Sequence, residues 1–264
     1  MIPQSAKDNM KALELEYCPV AVKYCFNKPE GYEYFDMSGK PICTMTKYVQ
    51  DTGKTFYVET AQEGCMAKFD LGAVEIEPFS QSGNVGFFHG IYRQQAGNAR
   101  MYYDLEFLKK GTVNYILFGP ATEVDFDPDL VLFVAPTAKA DIIMRASHFV
   151  TGDFYESRST PVLGCHWLYN YPYTSGKVNF VITGMHMGMK RAGCYPAGLH
   201  VISIPFQQLQ NFFVGLEEME PDILALKINE DEYAKKVVDR YYGLFGPAHD
   251  KEFAMDPKDR GRNV

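Results

Sequence analysis

Two pairs of cysteines stand in similar sequence surroundings. The first pair is Cys43 and Cys65, and the second is Cys165 and Cys194. In each pair the first cysteine precedes the glycine of a Thr/Ser-Gly-Lys tripeptide, by 10 residues in one case and 11 in the other, and the second cysteine directly follows a glycine. Thiolates are ligands that soft metal centres prefer, and four of them can hold a [4Fe–4S] cluster or a tetrahedral zinc ion. If the two pairs meet in the fold, they predict such a centre.

The cysteine pairs belong to two longer segments that resemble each other. Each segment runs from a cysteine through a Gly-Lys turn into a strand, and then from a Gly-Cys dipeptide into a strand that ends in Pro-Phe. The matched stretches are residues 52–60 with 175–183, 64–65 with 193–194, and 73–79 with 199–206. We interpret the match as an internal duplication, with chance as the alternative. A duplication would pack the halves as a pseudo-twofold pair, with the four cysteines near the axis.

Cysteine spacing alone leaves the identity of the bound group open. The sequence has no C-x2-C pair, and the gaps between the four cysteines are 21, 99 and 28 residues. An iron–sulfur cluster, a zinc ion, and plain thiols packed in the core are all compatible with this spacing. The other two cysteines, Cys18 and Cys25, are interpreted as structural.

Two residues near the cysteines are candidates for catalysis. His166 follows Cys165 and could bond a cluster sulfur or protonate a substrate, although a satisfied polar side chain is the alternative. Arg191, with Lys190 before it, could offset the charge of a cluster or hold a substrate carboxylate, although a solvated turn is the alternative.

Other motifs give weaker indications of a functional site. Three methionines, Met185, Met187 and Met189, surround His186, and thioethers with imidazole suit copper, although methionines more often fill a core or pocket. Residues 53–55 read Gly-Lys-Thr, but the phosphate-loop glycine expected five positions before Gly53 is replaced by a tyrosine, and the apolar run follows the tripeptide instead of preceding it. The acidic residues 125–129 lack the glycine and distal glutamate of a calcium loop. No nucleophile motif of the Gly-x-Ser-x-Gly type is present.

The order of predicted elements favours an α+β fold. Helices and strands mix without strict βαβ alternation. We expect two pseudo-symmetric mixed α/β halves that form one compact domain, with residues 1–112 and 113–246 as the halves and 247–264 as a polar tail. The predicted helices are 5–16, 41–53, a helix near 98–110, 137–152, 165–171, 206–219 and one near 230–244. The predicted strands are 20–26, 55–60, 73–79, 113–118, 130–135, 177–183 and 199–205.

Composition excludes several classes of partner. The net charge of the 264 residues is −7, so nucleic acid and anionic membrane are poor partners. No apolar run is long enough to span a membrane, and the N-terminus lacks the pattern of a signal peptide. We therefore expect a cytoplasmic protein with reduced cysteines. Its 18 tyrosines and helical C-terminus make a homodimer possible.

The chain resembles the proteins of domain-of-unknown-function family 169 (DUF169). The features that carry the resemblance are PVAVK (19–23), the Cys43…GKTFYV…Cys65…LG series, PDLV (128–131), and the Cys165 and Cys194 segments before IPFQQL. The resemblance implies that the four cysteines are ligands of an oxygen-sensitive cluster in proteins of anaerobic organisms. Ala67 and Lys68 stand where the family usually has glycines.

Together these observations predict an oxygen-sensitive [4Fe–4S] protein of anaerobic redox metabolism. It would transfer electrons to a redox partner or reduce a small organic substrate. If only three cysteines bind, an open iron would act as a Lewis acid, and a lyase or dehydratase becomes possible. The alternative is a binding or assembly protein with structural zinc and no catalysis. An enzyme with Cys165 as nucleophile ranks third, because the adjacent His166 faces away on a helix.

Overall fold

The computed structural model describes residues 1–220 together with positions 232, 235, 236, 239, 240 and 243. Residues Met1–Met219 form one compact unit, and residues Glu220–Val264 form a second. The helix predicted near 230–244 lies outside the described residues except at those six positions, which are helical. The predicted tail, 247–264, lies outside them altogether.

Helices and strands mix along the compact unit, which confirms the α+β class. The helices of residues 1–220 are α1 (Gln4–Ala12), α2 (Ile42–Thr52), α3 (Ala67–Asp70), α4 (Pro78–Gln81), α5 (Asn84–Phe88), α6 (Gln95–Asp104), α7 (Thr137–His148), α8 (Tyr171–Ser175), α9 (Met187–Arg191) and α10 (Phe206–Glu218). The strands are β1 (Tyr17–Cys25), β2 (Glu33–Tyr34), β3 (Phe56–Glu59), β4 (Tyr115–Pro120), β5 (Leu130–Ala135), β6 (Asn179–Ile182) and β7 (His200–Pro205). A 3-10 turn, Thr60–Gln62, follows β3, and a π-helical turn, His166–Asn170, precedes α8.

The strands form one mixed sheet in the order β2-β3-β4-β1-β5-β7-β6. Only the short edge strand β2 runs parallel to its neighbour, β3, and the other pairs are antiparallel. The strands near the centre are buried on both faces, which explains why β5 reads as an unbroken apolar run, LVLFVA.

Each face of the sheet carries its own apolar core. Helices α1, α7 and α10 pack over one face, against side chains such as Val131 and Ile202. Helix α2, the segment from the π-helical turn onward, and helices α3 and α9 pack over the other face, against Val22 and Leu132. All four cysteines of the predicted centre lie on or beside this second core.

The two copies of the Gly-Lys turn adopt the same local structure. Gly53 ends α2 and Gly176 ends α8, each in the left-handed conformation that glycine adopts without strain, with φ of 68° and 66°. The hydroxyl of the preceding residue accepts a hydrogen bond from the following lysine N–H, at 3.3 Å for Thr52 and 3.2 Å for Ser175. Residues 53–55 therefore form a turn that ends α2 and leads into β3, as predicted.

A π-helical turn accounts for the unequal spacing of the two copies. The distance along the chain from cysteine to glycine is one residue longer from Cys165 to Gly176 than from Cys43 to Gly53. A π-helical turn takes up an additional residue within a helix, and the His166–Asn170 turn lies between Cys165 and Gly176.

The prediction of a strand at residues 73–79 is wrong. Its backbone folds back instead, because the N–H groups of Ala73 and Val74 both donate to the carbonyl of Lys68, and helix α4 then begins at Pro78. The turn needs Gly72, which has a φ of 73°, and a Cβ there would lie 2.2 Å from the carbonyl oxygen of Lys109. The helix predicted near 98–110 is also shorter at its C-terminal end, since α6 ends at Asp104.

Beyond the central β1–β5 pair, β4, β3 and β2 lie on one side and β7 and β6 on the other. Strand β4 lies on the β1 side although it follows the predicted boundary at residue 112. Pseudo-symmetry of the two halves stays a prediction. None of the described helices is long and apolar enough to cross a membrane.

Candidate metal centre

Each of the four cysteines sits at the end or beginning of a local element. Cys43 is the second residue of α2, and Cys65 follows Gly64 in the loop that leads to α3. Cys165 directly precedes the π-helical turn, and Cys194 follows α9. These positions use loops and helix ends, where a side chain can point into a cavity without breaking a ladder of backbone hydrogen bonds.

Three of the four cysteines line one cavity. Cys43, Cys65 and Cys165 share it, and its volume is about 70 Å³, or about 610 Å³ when open solvent at its mouth is included. Most other lining side chains are apolar, contributed by α2, α5, α9 and the segment before Cys165. Cys194 is buried close by, hydrogen-bonded to Cys43, and does not line the cavity.

The thiols influence one another electrostatically. The pKa of Cys43 is raised well above its usual value, first by the hydrogen bond with Cys194, then by burial, and then by the nearby Cys194, Cys165 and Cys65 thiols. The same hydrogen bond lowers the pKa of Cys194. Burial is the main cause of the raised pKa of Cys65 and of Cys165. Cys43, Cys65 and Cys165 are therefore poor nucleophiles as free thiols, because their thiolate form is disfavoured.

A buried carboxylate holds two of the cysteine-bearing segments together. Glu63 Oε1 accepts the backbone N–H of Ile42 at 3.0 Å, and Oε2 accepts those of Cys65 at 2.8 Å and Lys68 at 3.4 Å. The N–H of Ile42 is one of the donors that a helix N-terminus leaves unpaired, so the carboxylate caps α2 from a distant loop. Cys43 and Cys65 are positioned through this one side chain.

His166 is turned away from the cavity. Its Nδ1 lies 2.7 Å from Asp70 Oδ1, and the amide of Asn170 donates to the same oxygen at 2.8 Å. All three side chains are buried, and Asp70 lies near enough to Cys165 to raise the pKa of that thiol further. The network fixes the π-helical turn against α3 and thereby the position of Cys165.

Arg191 is exposed at the end of α9 and does not line the cavity. Its charge, with that of Lys68, favours the thiolate of Cys65, although burial outweighs both. Lys47 acts in the same direction on Cys194. These cations offset negative charge at the cysteines from outside the cavity.

Two polar groups of the cavity lining are buried without a hydrogen-bond partner. They are the hydroxyl of Tyr102, on α6, and Nδ1 of His186, the residue before α9. Nε2 of His186 is hydrogen-bonded to the Ser159 hydroxyl at 2.8 Å. Burial lowers the pKa of His186 to about 4, so its imidazole is neutral at pH 7.

Cys18 and Cys25 lie on β1 and do not line the cavity. Cys18 packs against one core and Cys25 against the other. Among the described residues, no group of three or more His, Cys, Asp or Glu side chains is arranged to hold a metal ion.

Sequence reasoning did not identify Glu63, Asp70 or Tyr102. Asp70 acts through His166, and Glu63 bonds Ile42, both distant along the chain, so local spacing carries no signal for them. Tyr102 enters the cavity lining only through the packing of α6. The sequence did single out His186, as part of the methionine-rich stretch. Its neighbours Met187 and Met189 also line the cavity.

The chain is similar to one known family. The model of the DUF169 family, described as "Uncharacterised ArCR", matches residues 10–213. This range contains all four cysteines, Tyr102 and His186. No curated protein and no solved structure matches the chain.

Proposed function

Because this chain belongs to the DUF169 family, whose description assigns no reaction, we propose its function from the cysteine-lined cavity: the protein holds a [4Fe–4S] cluster and transfers electrons in anaerobic redox metabolism. The observation that carries the proposal is the convergence of four cysteines, from positions 43 to 194 of the chain, at one site on one face of the sheet.

The residues present fit such a cluster in donor chemistry. Cys43, Cys65 and Cys165 supply three sulfurs around one cavity, and Cys194 lies beside Cys43. When bound, the cluster would supply one-electron transfer. The apolar lining would exclude water, and the buried carboxylate of Glu63 and the Asp70–His166 pair would hold the cysteine segments in place.

A cluster and a zinc ion would hold the sulfurs at different separations. A tetrahedral zinc ion with Zn–S bonds of about 2.3 Å would draw four sulfurs to within roughly 3.8 Å of one another. Cysteines that bind a [4Fe–4S] cluster attach to different irons and stand around a larger core, which suits sulfurs distributed around a cavity.

The raised pKa values argue against a free catalytic thiol. Buried thiols that resist ionisation are inert as nucleophiles, whereas a bound metal stabilises their thiolate form directly. His166, the neighbour of Cys165 in the chain, is hydrogen-bonded to Asp70 and does not line the cavity, so it is not placed to act as the base for a Cys165 nucleophile. These residues are therefore better suited to electron transfer than to covalent catalysis.

Visible absorption of cysteine variants tests the proposal. We expect anaerobically purified protein to be brown, with a broad band at roughly 400 nm. Cys65→Ser and Cys165→Ser should lose most of this band and most of the iron. Cys18→Ser is the matched control, because Cys18 is half-buried on β1 and outside the cavity, and it should keep both. A colourless wild-type protein that carries one zinc per chain would support the structural-zinc alternative instead.

A further inference from the structure

The cavity presents three sulfurs, which leaves a fourth coordination position to assign. The sequence predicts Cys194 as the fourth ligand. However, Cys194 lies outside the cavity lining, and its thiol is hydrogen-bonded to that of Cys43. Two sulfurs in hydrogen-bond contact are closer than two ligands on different irons of one cluster would be. Cys194 therefore contacts the Cys43 sulfur from outside the cavity lining.

His186 lines the same cavity and has the features of a metal ligand. Its side chain is buried, with 1% of its surface exposed, and Nδ1 has no hydrogen-bond partner. Its other ring nitrogen, Nε2, is held by the Ser159 hydroxyl at 2.8 Å. Metal-bound histidines are oriented in this way, with one ring nitrogen fixed by a hydrogen bond and the other left for the metal.

The position of the ring brings Nδ1 next to the segment that carries Cys165. A Cβ on Gly164, the residue before Cys165, would lie 2.9 Å from Nδ1 of His186. Glycine at 164 therefore lets the imidazole approach this segment closely. Gly188, two residues after His186, contacts the Cys65 segment, because a Cβ there would lie 3.9 Å from the sulfur of Cys65.

We propose that Nδ1 of His186 is the fourth protein ligand of the cluster, beside Cys43, Cys65 and Cys165. This assignment rests on the proposed [4Fe–4S] cluster. It explains why a buried imidazole keeps an unpaired nitrogen in an otherwise apolar cavity, since buried polar groups are nearly always paired.

A histidine ligand would change the electron-transfer properties of the site. A neutral imidazole in place of a thiolate leaves the cluster and its ligands less negative by one charge. Replacement of cysteine by histidine raises the reduction potential of [2Fe–2S] centres for this reason. The protein would therefore be an electron carrier of higher potential than one with four cysteine ligands.

The test is pulsed electron paramagnetic resonance of the chemically reduced protein, grown with ¹⁵N-labelled histidine and purified without oxygen. We expect a nitrogen hyperfine coupling of a directly bound imidazole in the wild type and in Cys194→Ser, and its absence in His186→Gln. His186→Cys should restore iron content and give a lower reduction potential than the wild type. The decisive signal is measured in the wild-type protein, so the test remains valid even if a variant fails to fold.

Two results would overturn the assignment, and they can be told apart. A wild-type cluster without histidine coupling, together with iron loss in Cys194→Ser, would make Cys194 the fourth ligand and leave the proposed function standing. Wild-type protein without iron and sulfide after anaerobic reconstitution would remove the cluster and, with it, the role of His186.

Discussion

At the scale of single residues, Glu63 links parts of the site that are far apart along the chain. Its carboxylate is buried, and burial raises its pKa, while the hydrogen bonds from the Cys65, Ile42 and Lys68 amides act in the opposite direction. A carboxylate that accepts these hydrogen bonds sets the separation of Cys43 and Cys65. The cysteine positions therefore depend on a residue that binds no metal itself.

Removing this carboxylate should destabilise the protein markedly. We expect Glu63→Ala to lower the free energy of unfolding by about 2–4 kcal/mol, because buried backbone N–H groups lose an ionised acceptor. Urea denaturation measures the change. Glu33→Gln is the control: Glu33 is exposed and pairs with Lys54 at 3.7 Å, so its change should stay within about 0.5 kcal/mol. Equal stability of Glu63→Ala and the wild type would show that the carboxylate does not hold the loops.

His186 should make the metal-free protein sensitive to acid. Its pKa falls from the usual 6.5 to about 4 on folding. Between these values the unfolded chain binds a proton that the folded protein does not, so stability is lost as the pH falls from 6.5 to 4. The loss from this residue is about 3 kcal/mol in full. His186→Gln should lack this component, so unfolding free energies of the two proteins should converge or cross as the pH falls. Parallel pH curves would contradict the buried, neutral imidazole.

At the scale of elements, the sequence predicts best where one local pattern determines the outcome. Strands β5 and β7 and helix α10 were predicted nearly to the residue, because apolar runs and periodicity identify them. The strand predicted at 73–79 failed, because hydrogen bonds back to Lys68 outweigh the alternating pattern. The grouping of the four cysteines followed from the repeated motif. The contribution of His186 depends on contacts between distant segments, which no local pattern encodes.

Close packing of helices α7 and α10, on the face opposite the cysteines, gives an element-scale prediction. A Cβ on Gly215, in α10, would lie 2.1 Å from the carbonyl oxygen of Ala146, in α7. Gly215→Ala should therefore force the helices apart and lower the unfolding free energy by about 1–3 kcal/mol. Thermal or urea unfolding measures this.

Gly97→Ala is the matched control within a helix. Gly97 lies in α6, and the nearest neighbour of a Cβ there is a Tyr92 ring carbon at 3.7 Å, an ordinary contact. Alanine should stabilise the protein by about 0.5–1 kcal/mol, because it lowers the backbone entropy of the unfolded chain. A stabilising Gly215→Ala would mean that α7 and α10 are not packed as closely as described.

At the scale of the molecule, the sheet separates a structural layer from a functional one. Helices α1, α7 and α10 cover one face with apolar contacts, while the cysteines, their supporting carboxylates and the cavity occupy the other. The cysteines come from both sides of the central β1–β5 pair, so the site requires the assembled sheet and cannot form from one local segment. This dependence suits a centre that binds only to the folded chain and stabilises it in return.

The most direct test of the bound cluster is the determination of iron and acid-labile sulfide in the same anaerobically purified sample. A bound [4Fe–4S] cluster predicts about four irons and four sulfides per chain. Protein that stays free of both after anaerobic reconstitution with iron and sulfide, while remaining folded, would contradict it and return the cysteines to the role of buried thiols.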